Sequence, residues 1–458
     1  MVGLLSESNV LVSLRDTMGD RLSALARKHR VPGAQLAIHH GGEAVAVEIG
    51  ELEHGGGHRV TPDAAFPIGS VTKSFTATVA MILVTDGDLE LDAPLGEYLT
   101  ELDELGDRQT LRQLLSHTSG FASGPDSECL LSASLRRYVL DHCGPPNLVL
   151  PPGSGFSYSN MGYILTGLVI EKVTGMSWRD AMESILLRPL GIEPAFICAP
   201  ALQPGRPIAT GHSVNTAVGR TRPVQQSTAA AEAPAGGLAV SAADLVALGL
   251  MHVGTGVSDL LPAIYAEQMR QAVPAADAFG LADGWGLGLA VFRDAAAEWV
   301  GHDGNGDGTS CHLRINPTDG WVVAFTSNAI TGFWLWQELL AELAQANVPI
   351  EASRARGSQG RPTRPPAGCV GTYVNGDLEF VVAADKDGNL RLAIGGDEFT
   401  RLICHDGMTF SQEDPASGQR VFGGRFMGNP FTGRVEGIQI GGRVARRLIP
   451  GRENRLIA

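Results

Sequence analysis

Apolar positions in the first two thirds of the chain predict strands at both ends, with helices between them. An amphipathic helix over 10–29 is followed by strands over 34–38 and 44–49, which form a hairpin across Gly41-Gly42. Helices are predicted over 71–85, 110–115, 132–140, 161–173, 178–187 and 241–252. Strands are predicted again over 285–292, 311–315 and 322–326, and a last helix over 333–346. This order indicates one mixed sheet flanked by a helical region, with a cleft between the two.

The pattern changes after this helix. Residues 351–367 are rich in Arg, Pro and Gly, which is typical of a linker. Short strands then follow at regular spacing, over 371–374, 378–383, 390–394, 400–404, 409–411, 424–427, 435–440 and 444–448. Tight turns such as Gly441-Gly442 separate them, so a small antiparallel barrel is expected. The chain is therefore predicted to be an α+β protein, divided into 1–348, a linker over 349–367, and 368–458.

The segment Ser70-Val71-Thr72-Lys73 opens the first long helix after the hairpin. At i and i+3, Ser70 and Lys73 share one helix face. A serine hydroxyl becomes a strong nucleophile when a neighbouring base removes its proton, and a desolvated lysine can be that base. The helix N-terminus also favours negative charge at the seryl oxygen. A Ser N-cap followed by an unrelated lysine explains the same residues, so the interpretation depends on their partners.

A first pair of candidate partners is Tyr158 and Asn160, which follow a Pro-Pro-Gly turn. A tyrosine beside Ser70 and Lys73 is able to relay a proton, and the asparagine is able to hydrogen-bond Lys73 and a substrate amide. Taken alone, Tyr158 is equally explained as a half-buried aromatic residue at the start of a helix.

A second candidate segment is 302–305, which begins with His302. This histidine and the small residues after it are predicted to line the far wall of the cleft. The backbone N–H of Asn305, together with that of Ser70, would form an oxyanion hole. Taken alone, His302 is equally explained as a polar residue at the end of a strand.

Three motifs therefore occur in a fixed order: SVTK at 70–73, YSN at 158–160 and HDG at 302–304. They resemble the Ser-x-x-Lys, Tyr-x-Asn and Lys/His-x-Gly elements of the serine β-lactamase and penicillin-binding-protein superfamily. Segments 111–120 and 233–238 also resemble stretches of that superfamily. The resemblance extends over about 15–345 and implies a β-lactamase/transpeptidase-like fold.

The resemblance also implies roles for individual residues. The implied catalytic residues are Ser70, Lys73, Tyr158 and His302. The residues implied in the oxyanion hole or in substrate binding are Asn160, Asn305, Gly304 and Asp303. At the arginine-rich end of the barrel, one arginine of Arg443, Arg446 and Arg447 is expected to approach the site, and Arg446 is preferred. Such an arginine would bind a substrate carboxylate bidentately, although most arginines of that end are equally explained as solvated side chains.

The third motif indicates which members of the superfamily the chain resembles. Class C β-lactamases carry Lys-Thr-Gly where this chain has His302-Asp303-Gly304. Histidine at this place is similar to the superfamily's esterases, D-aminopeptidases and penicillin-binding-protein-type stand-alone peptide thioesterases. The C-terminal barrel likewise resembles the lipocalin-like domain of some D-aminopeptidases and thioesterases, where it is either a stability appendage or a cover over the cleft.

Composition bears on partners and cofactors. The net charge is −14 and no basic cluster lies on a predicted helix, so neither nucleic acid nor a membrane is expected as a partner. Residues 303–308 match half of a calcium loop, but Arg314 stands where a glutamate ligand is needed, and neither metal nor cofactor is expected. Six scattered cysteines and an N-terminus without signal-peptide features predict a cytoplasmic protein.

These observations predict a serine acyl-transfer enzyme that works through a seryl acyl-enzyme. The preferred hypothesis is a penicillin-binding-protein-type thioesterase that releases and macrocyclises a nonribosomal peptide, with a carrier protein presenting the acyl chain. The alternatives are a D-aminopeptidase, amidase or carboxylesterase acting on small peptides or esters, and a catalytically silent binding or sensor protein on the same fold.

Overall fold

The structure is a computed structural model, which describes residues 7–124, 134–198, 205–254, 259–293, 297–350, 360–396, 399–413, 420–429 and 432–449. Its α-helices are α1 (Glu7–His29), α2 (Thr72–Asp86), α3 (Asp103–Gly106), α4 (Leu111–Leu115), α5 (Leu135–His142), α6 (Asn160–Thr174), α7 (Trp178–Ala181), α8 (Ala233–Gly236), α9 (Ala242–Leu250), α10 (Ala263–Arg270) and α11 (Gly332–Gln345). Shorter helical turns lie at Gly69–Val71, Leu95–Glu97, Thr100–Leu102, Pro145–Asn147, Met182–Leu187, Ala230–Glu232 and Asp406–Met408.

Strands occur in two groups. The first group is β1 (Gly33–His40), β2 (Glu43–Gly50), β3 (Phe66–Pro67), β4 (His212–Asn215), β5 (Arg220–Pro223), β6 (Ala239–Val240), β7 (Gly284–Trp285), β8 (Ala290–Arg293), β9 (Glu298–Gly304), β10 (Ser310–Asn316) and β11 (Trp321–Ser327). The second group is β12 (Gly371–Asn375), β13 (Leu378–Ala384), β14 (Leu390–Ile394), β15 (Thr400–Cys404), β16 (Thr409–Glu413), β17 (Arg420–Gly428), β18 (Val435–Ile440) and β19 (Arg443–Arg447).

The central sheet is antiparallel, with seven strands in the order β2-β1-β11-β10-β9-β8-β7. Every residue of β10 and β11 is buried, because α1 and α11 pack on one face of the sheet and α9 packs on the other. The two ends of this part of the chain thus meet in one sheet, as the strand pattern predicted. The strand expected over 285–292 is divided into β7 and β8, because the chain makes a tight turn at Gly288, where φ is +84°.

The helical region is built around α2. Residues 72–83 of α2 are all buried, so this helix has no solvent face and lies at the centre of the subdomain. Helix α6 crosses it, and α8 covers the end that carries the nucleophile motif. Of the helix predicted over 132–140, residues 132 and 133 lie outside the described residues, and α5 begins at Leu135. Helix α10 was not predicted; only two of its eight residues, Ala266 and Met269, are buried.

The C-terminal strands β12 to β19 close into an eight-stranded antiparallel barrel, which confirms the predicted barrel. Aromatic side chains fill its interior, including Tyr373, Phe380, Phe410 and Phe426. Its similarity to lipocalins and the predicted domain limits, 1–348 and 368–458, stay predictions. The predicted linker falls partly on residues 351–359, which lie outside the described residues.

The barrel packs against the first domain through the turn between β18 and β19. Val444 belongs to the same apolar cluster as the helical region, and the Arg425 guanidinium pairs with Asp277 at 2.9 Å. In the described part of the chain no helix has both the length and the apolarity to cross a membrane. The five cysteines that the structure describes are buried free thiols.

Candidate active site

The nucleophile motif lies where the helical turn Gly69–Val71 leads into α2. Lys73 is fully buried, its Nζ lies 3.0 Å from Ser70 Oγ, and it donates a hydrogen bond to the Ala235 carbonyl at 2.8 Å. Burial lowers the pKa of Lys73 well below its ordinary value, and the nearby Arg443 charge lowers this pKa further. A neutral amine beside Ser70 can therefore accept the seryl proton.

Close backbone packing brings the end of β9 against this turn. A Cβ on Gly69, whose φ is +49°, would lie 2.4 Å from the Asn305 carbonyl oxygen, and one on Gly304 would lie 2.0 Å from the Ile68 carbonyl oxygen. Only glycine permits this approach. Ser70 and Asn305 consequently line the same cavity. An oxyanion hole formed by their two N–H groups stays a prediction.

Tyr158 lies directly before α6 and approaches both residues of the nucleophile motif. Its ring centre is 5.2 Å from Lys73 Nζ, and its hydroxyl interacts with Ser70. Burial raises the pKa of Tyr158 to about 12, although the Ser70 hydrogen bond acts in the opposite direction. The resting side chain is therefore a neutral phenol, which can relay a proton between Ser70 and a leaving group.

Tyr158→Phe is expected to lower the acylation rate by about a hundredfold, the lower part of the usual range for proton-transfer groups. Slow acyl-enzyme formation should remain visible by intact-protein mass spectrometry, because Ser70 and Lys73 are unchanged. The matched control is Tyr163→Phe. The ring centre of Tyr163 also lies near Lys73, at 5.8 Å from its Nζ. The Tyr163 hydroxyl, however, donates to the Leu115 carbonyl. Equal rates for Tyr158→Phe and the wild type would exclude the relay.

Asn160 is the first residue of α6, but it does not make the predicted hydrogen bond to Lys73. The lysine instead donates to the Ala235 carbonyl, because α8 packs against α2 at this point. Asn160 Oδ1 is buried and has no protein partner within the described ranges. Asn160 is not among the residues that line the cavity, and its predicted hydrogen bond to the substrate stays a prediction.

His302 lies in β9 and is 1% exposed. Its Nδ1 lies 2.6 Å from the Asp303 carbonyl, so Nδ1 carries the proton and Nε2 is an acceptor. Burial lowers the pKa of His302 to about 3, with Lys73 acting in the same direction, and the ring is therefore neutral. Nε2 is buried without a partner among the described residues, and the ring centre lies 6.3 Å from that of Tyr158.

Asp303 lines the cavity, and its carboxylate is paired with two side chains of the protein. Arg314 donates to both carboxylate oxygens, at 2.7 and 3.0 Å, and His312 pairs with Oδ1 at 2.7 Å. Burial alone would raise the pKa of Asp303, but the charges of Arg314 and His312 hold this pKa well below its ordinary value. The carboxylate thus fixes the end of β9, and the substrate-binding role of Asp303 stays a prediction.

Among the candidate arginines of the barrel, the preference for Arg446 is corrected to Arg443. Arg443, the first residue of β19, lines the cavity, and its guanidinium lies 5.0 Å from the Tyr158 ring centre. Arg446 lies three residues further along β19, about 10 Å at ordinary strand rise, where it pairs with Val374 and Gly437. Because β18 and β19 pair as a hairpin, the turn between them and the start of β19 lie together at the cleft.

The cavity holds about 220 Å³ and combines apolar walls with a few polar groups. The residues lining it are Ser70, Tyr158, Leu281, Trp285, Ala290, Phe292, His302, Asp303, Asn305 and Arg443. Trp285 Nε1 is a buried donor with no partner in the described part of the chain. Throughout the part of the chain that the structure describes, no group of His, Cys, Asp or Glu side chains is placed to hold a metal ion.

Two residues of the site were missed by the sequence analysis: Trp285 and His117. The ring of His117 packs on Tyr158, with ring centres 4.2 Å apart. In the sequence, the only indication that His117 belongs to the site was its place in segment 111–120, which resembles a stretch of the superfamily. Trp285 was assigned only as the first residue of a strand.

Arg443→Gln is expected to raise the pKa of Lys73, because removal of a nearby positive charge favours the protonated amine. The acid limb of the pH–rate profile should therefore move to higher pH. Arg446→Gln is the matched control, since it removes a guanidinium from the same strand but away from the cavity. An acid limb that stays in place in the Arg443→Gln enzyme would contradict this coupling.

A serine beside a buried neutral lysine, with a phenol as proton relay, is the apparatus of a serine hydrolase that forms an acyl-enzyme. Residues 17–346 match the family model described as Beta-lactamase, and the protein belongs to this family. The chain is 34% identical to penicillin-binding protein 4 of Amycolatopsis lactamdurans over 351 residues, which cover 72% of this chain and 90% of that protein.

Solved structures extend the likeness to the barrel. The crystal structure of SurE has a TM-score of 0.85 and 40% identity, covering 96% of this chain and 100% of that one. A D-stereospecific amidohydrolase from a Streptomyces species has a TM-score of 0.55 and 25% identity, covering 69% of this chain and 94% of that one.

Proposed function

We propose that this serine hydrolase is a penicillin-binding-protein-type thioesterase, which releases a nonribosomal peptide from its carrier and cyclises it head to tail. The observation that carries the proposal is the cavity formed jointly by the two domains. Arg443 comes from the barrel, whereas Ser70, Tyr158 and His302 come from the first domain. An enzyme that joins two ends of one peptide must keep competing water from the acyl-enzyme, and a second domain at the cavity serves this purpose.

The cavity walls suit a peptidyl acyl chain. Leu281, Trp285 and Phe292 supply an apolar surface. The unpaired donor Trp285 Nε1 matches a carbonyl group of a peptide. Arg443 uses its Nε to donate to Ser123 Oγ at 2.7 Å, and its Nη2 remains for a substrate oxygen within the described surroundings.

The reaction has two halves. In the first, Ser70 gives its proton to neutral Lys73 and bonds to the thioester carbonyl carbon. The C–S bond breaks, and the proton passes through Tyr158 to the leaving thiolate. In the second, the amine at the peptide's own N-terminus attacks the ester carbon, and the C–O bond to Ser70 breaks. The amine's proton returns through Tyr158 and Lys73 to the seryl oxygen, so the enzyme is regenerated.

A D-residue in the substrate fits the comparisons. A structure of SurE with D-Leu has a TM-score of 0.82 and 40% identity, covering 95% of this chain. The Streptomyces relative is described as D-stereospecific. We therefore place a D-amino-acid residue at the acyl carbon that Ser70 attacks. The thioester is presented by a carrier protein in the biosynthetic setting.

The second candidate function is hydrolysis by a D-aminopeptidase, amidase or carboxylesterase. The likeness to the D-stereospecific amidohydrolase favours it, because the same acyl-enzyme is then resolved by water. The two functions share the first half-reaction and differ in the acceptor. Their products therefore separate them.

The test uses a synthetic peptidyl thioester with a C-terminal D-residue and a free N-terminal amine. Its matched control is the same peptide with an acetylated N-terminus. Chromatography with mass spectrometry is expected to show a macrolactam from the first and linear acid from the second. Linear acid alone from both substrates, at comparable rates, would exclude the cyclase and support the hydrolase.

A further inference from the structure

The catalytic tyrosine is carried by a short segment, residues 156–159, that the first domain holds on one side only. The His117 carbonyl accepts the Ser157 N–H at 2.9 Å, and the His117 imidazole accepts the Ser159 N–H through Nδ1 at 3.1 Å. Both neighbours of Tyr158 are thus anchored to one buried residue. The N–H of Tyr158 itself points to the opposite side.

The opposite side is the barrel. The Gly442 carbonyl, in the turn between β18 and β19, accepts the Tyr158 N–H at 3.0 Å. From the same hairpin, the buried Gln439 amide donates to the Phe156 carbonyl at 3.3 Å, and the Val444 N–H donates to Ser157 Oγ at 3.3 Å. The segment is therefore bonded along its length to residues of the second domain.

Gly442 allows this contact because it lacks a side chain. Its φ is +73°, and a Cβ would lie 2.4 Å from Leu281 Cδ1 and 3.1 Å from Phe156 Cε1. A larger residue requires either the Leu281 side chain or the turn itself to shift, and it is also strained at this positive φ. The contact is tight enough that displacement of the turn displaces the hydrogen-bond acceptor of Tyr158.

We infer that the β18–β19 turn is a positioning element of the catalytic site: Gly442 and Gln439 set the backbone of Tyr158, and hence the distance of its hydroxyl from Ser70. This role goes beyond exclusion of water and holds whether an amine or water resolves the acyl-enzyme. A misplacement of about 1 Å can cost about a hundredfold in rate. The barrel is then required for acylation itself.

The test is Gly442→Ala in the full chain, assayed by the stopped-flow burst of p-nitrophenolate from p-nitrophenyl acetate, on the alkaline plateau of the pH profile. We expect acylation to slow by about tenfold to a hundredfold, with KM for the ester little changed. Gly388→Ala is the matched control. Gly388 lies in another barrel turn with φ of +80°, and its Cβ would meet nothing within 4 Å.

A double-mutant cycle separates positioning from general destabilisation. In the Tyr158→Phe background there is no hydroxyl to misplace, so Gly442→Ala should change the rate by less than about twofold. Gln439→Met, which removes the amide but keeps the volume, is expected to act in the same direction. It also serves if Gly442→Ala fails to fold, as judged by the thermal midpoint.

Two results would overturn the inference. One is a Gly442→Ala or Gln439→Met enzyme that is folded and acylates at the wild-type rate. The other is an equal loss in the wild-type and Tyr158→Phe backgrounds, which would mean that the turn acts on stability or on another residue. Neither result bears on the proposed cyclisation, which is decided by products.

Discussion

Ser70→Ala is expected to remove all turnover and all acyl-enzyme formation while leaving the fold intact. The hydroxyl of Ser70 is the group that forms the covalent bond, and among the described residues that line the cavity no other carries an aliphatic hydroxyl or a thiol. Turnover is measured with a peptidyl thioester and a p-nitrophenyl ester, and folding by circular dichroism and the thermal midpoint.

The matched control for this substitution is Ser74→Ala. Ser74 lies one turn further along α2, is buried, and donates to the Gly288 carbonyl at 2.8 Å without lining the cavity. The control enzyme should keep its activity and lose only the stability of one hydrogen bond, about 1 kcal/mol. A Ser70→Ala enzyme with most of its activity would remove the basis for the whole assignment.

Lys73→Met is expected to lower the acylation rate on the order of a thousandfold, because it removes the base that accepts the seryl proton. Methionine preserves most of the buried volume, and loss of the amine removes a costly buried polar group. The thermal midpoint should therefore fall little. Single-turnover acylation, followed by intact-protein mass spectrometry, measures the rate.

Lys172→Met provides the control for general loss of a lysine. Lys172 lies on α6 and pairs with Glu101 at 3.1 Å on the surface. Its replacement should leave acylation unchanged, because exposed ion pairs contribute little. A Lys73→Met enzyme within about tenfold of the wild-type rate would assign the general base to another group, with neutral His302 as the next candidate.

Local sequence patterns predicted the main features of both domains. Helix α2 is a long run without Pro or Gly, so its position followed from the sequence pattern. The pairing of Ser70 with Lys73 followed from their i, i+3 spacing together with the two partner motifs. The barrel strands are separated by turn glycines, and each predicted strand has its counterpart in the closed barrel. The fold could be predicted because each element is specified by its own residues.

Contacts between segments that are far apart in the sequence could not be predicted from local patterns. The choice of Arg446 over Arg443 failed because strand spacing does not reveal which end of β19 meets the other domain. The expected bond from Asn160 to Lys73 is absent because the Ala235 carbonyl, 162 residues further along the chain than Lys73, takes its place. The pairing of Asp303 with Arg314 and His312 was not predicted, because these partners lie on the next strand.

The central claim is that this protein acts through an acyl group on Ser70, and rapid-quench peptide mapping tests it most directly. The wild-type protein is mixed with the D-residue peptidyl thioester, quenched within the first turnover, digested and analysed by tandem mass spectrometry. We predict the peptidyl mass on Ser70. Product formation with no acyl group at Ser70, or with the acyl group on another residue, would contradict the claim.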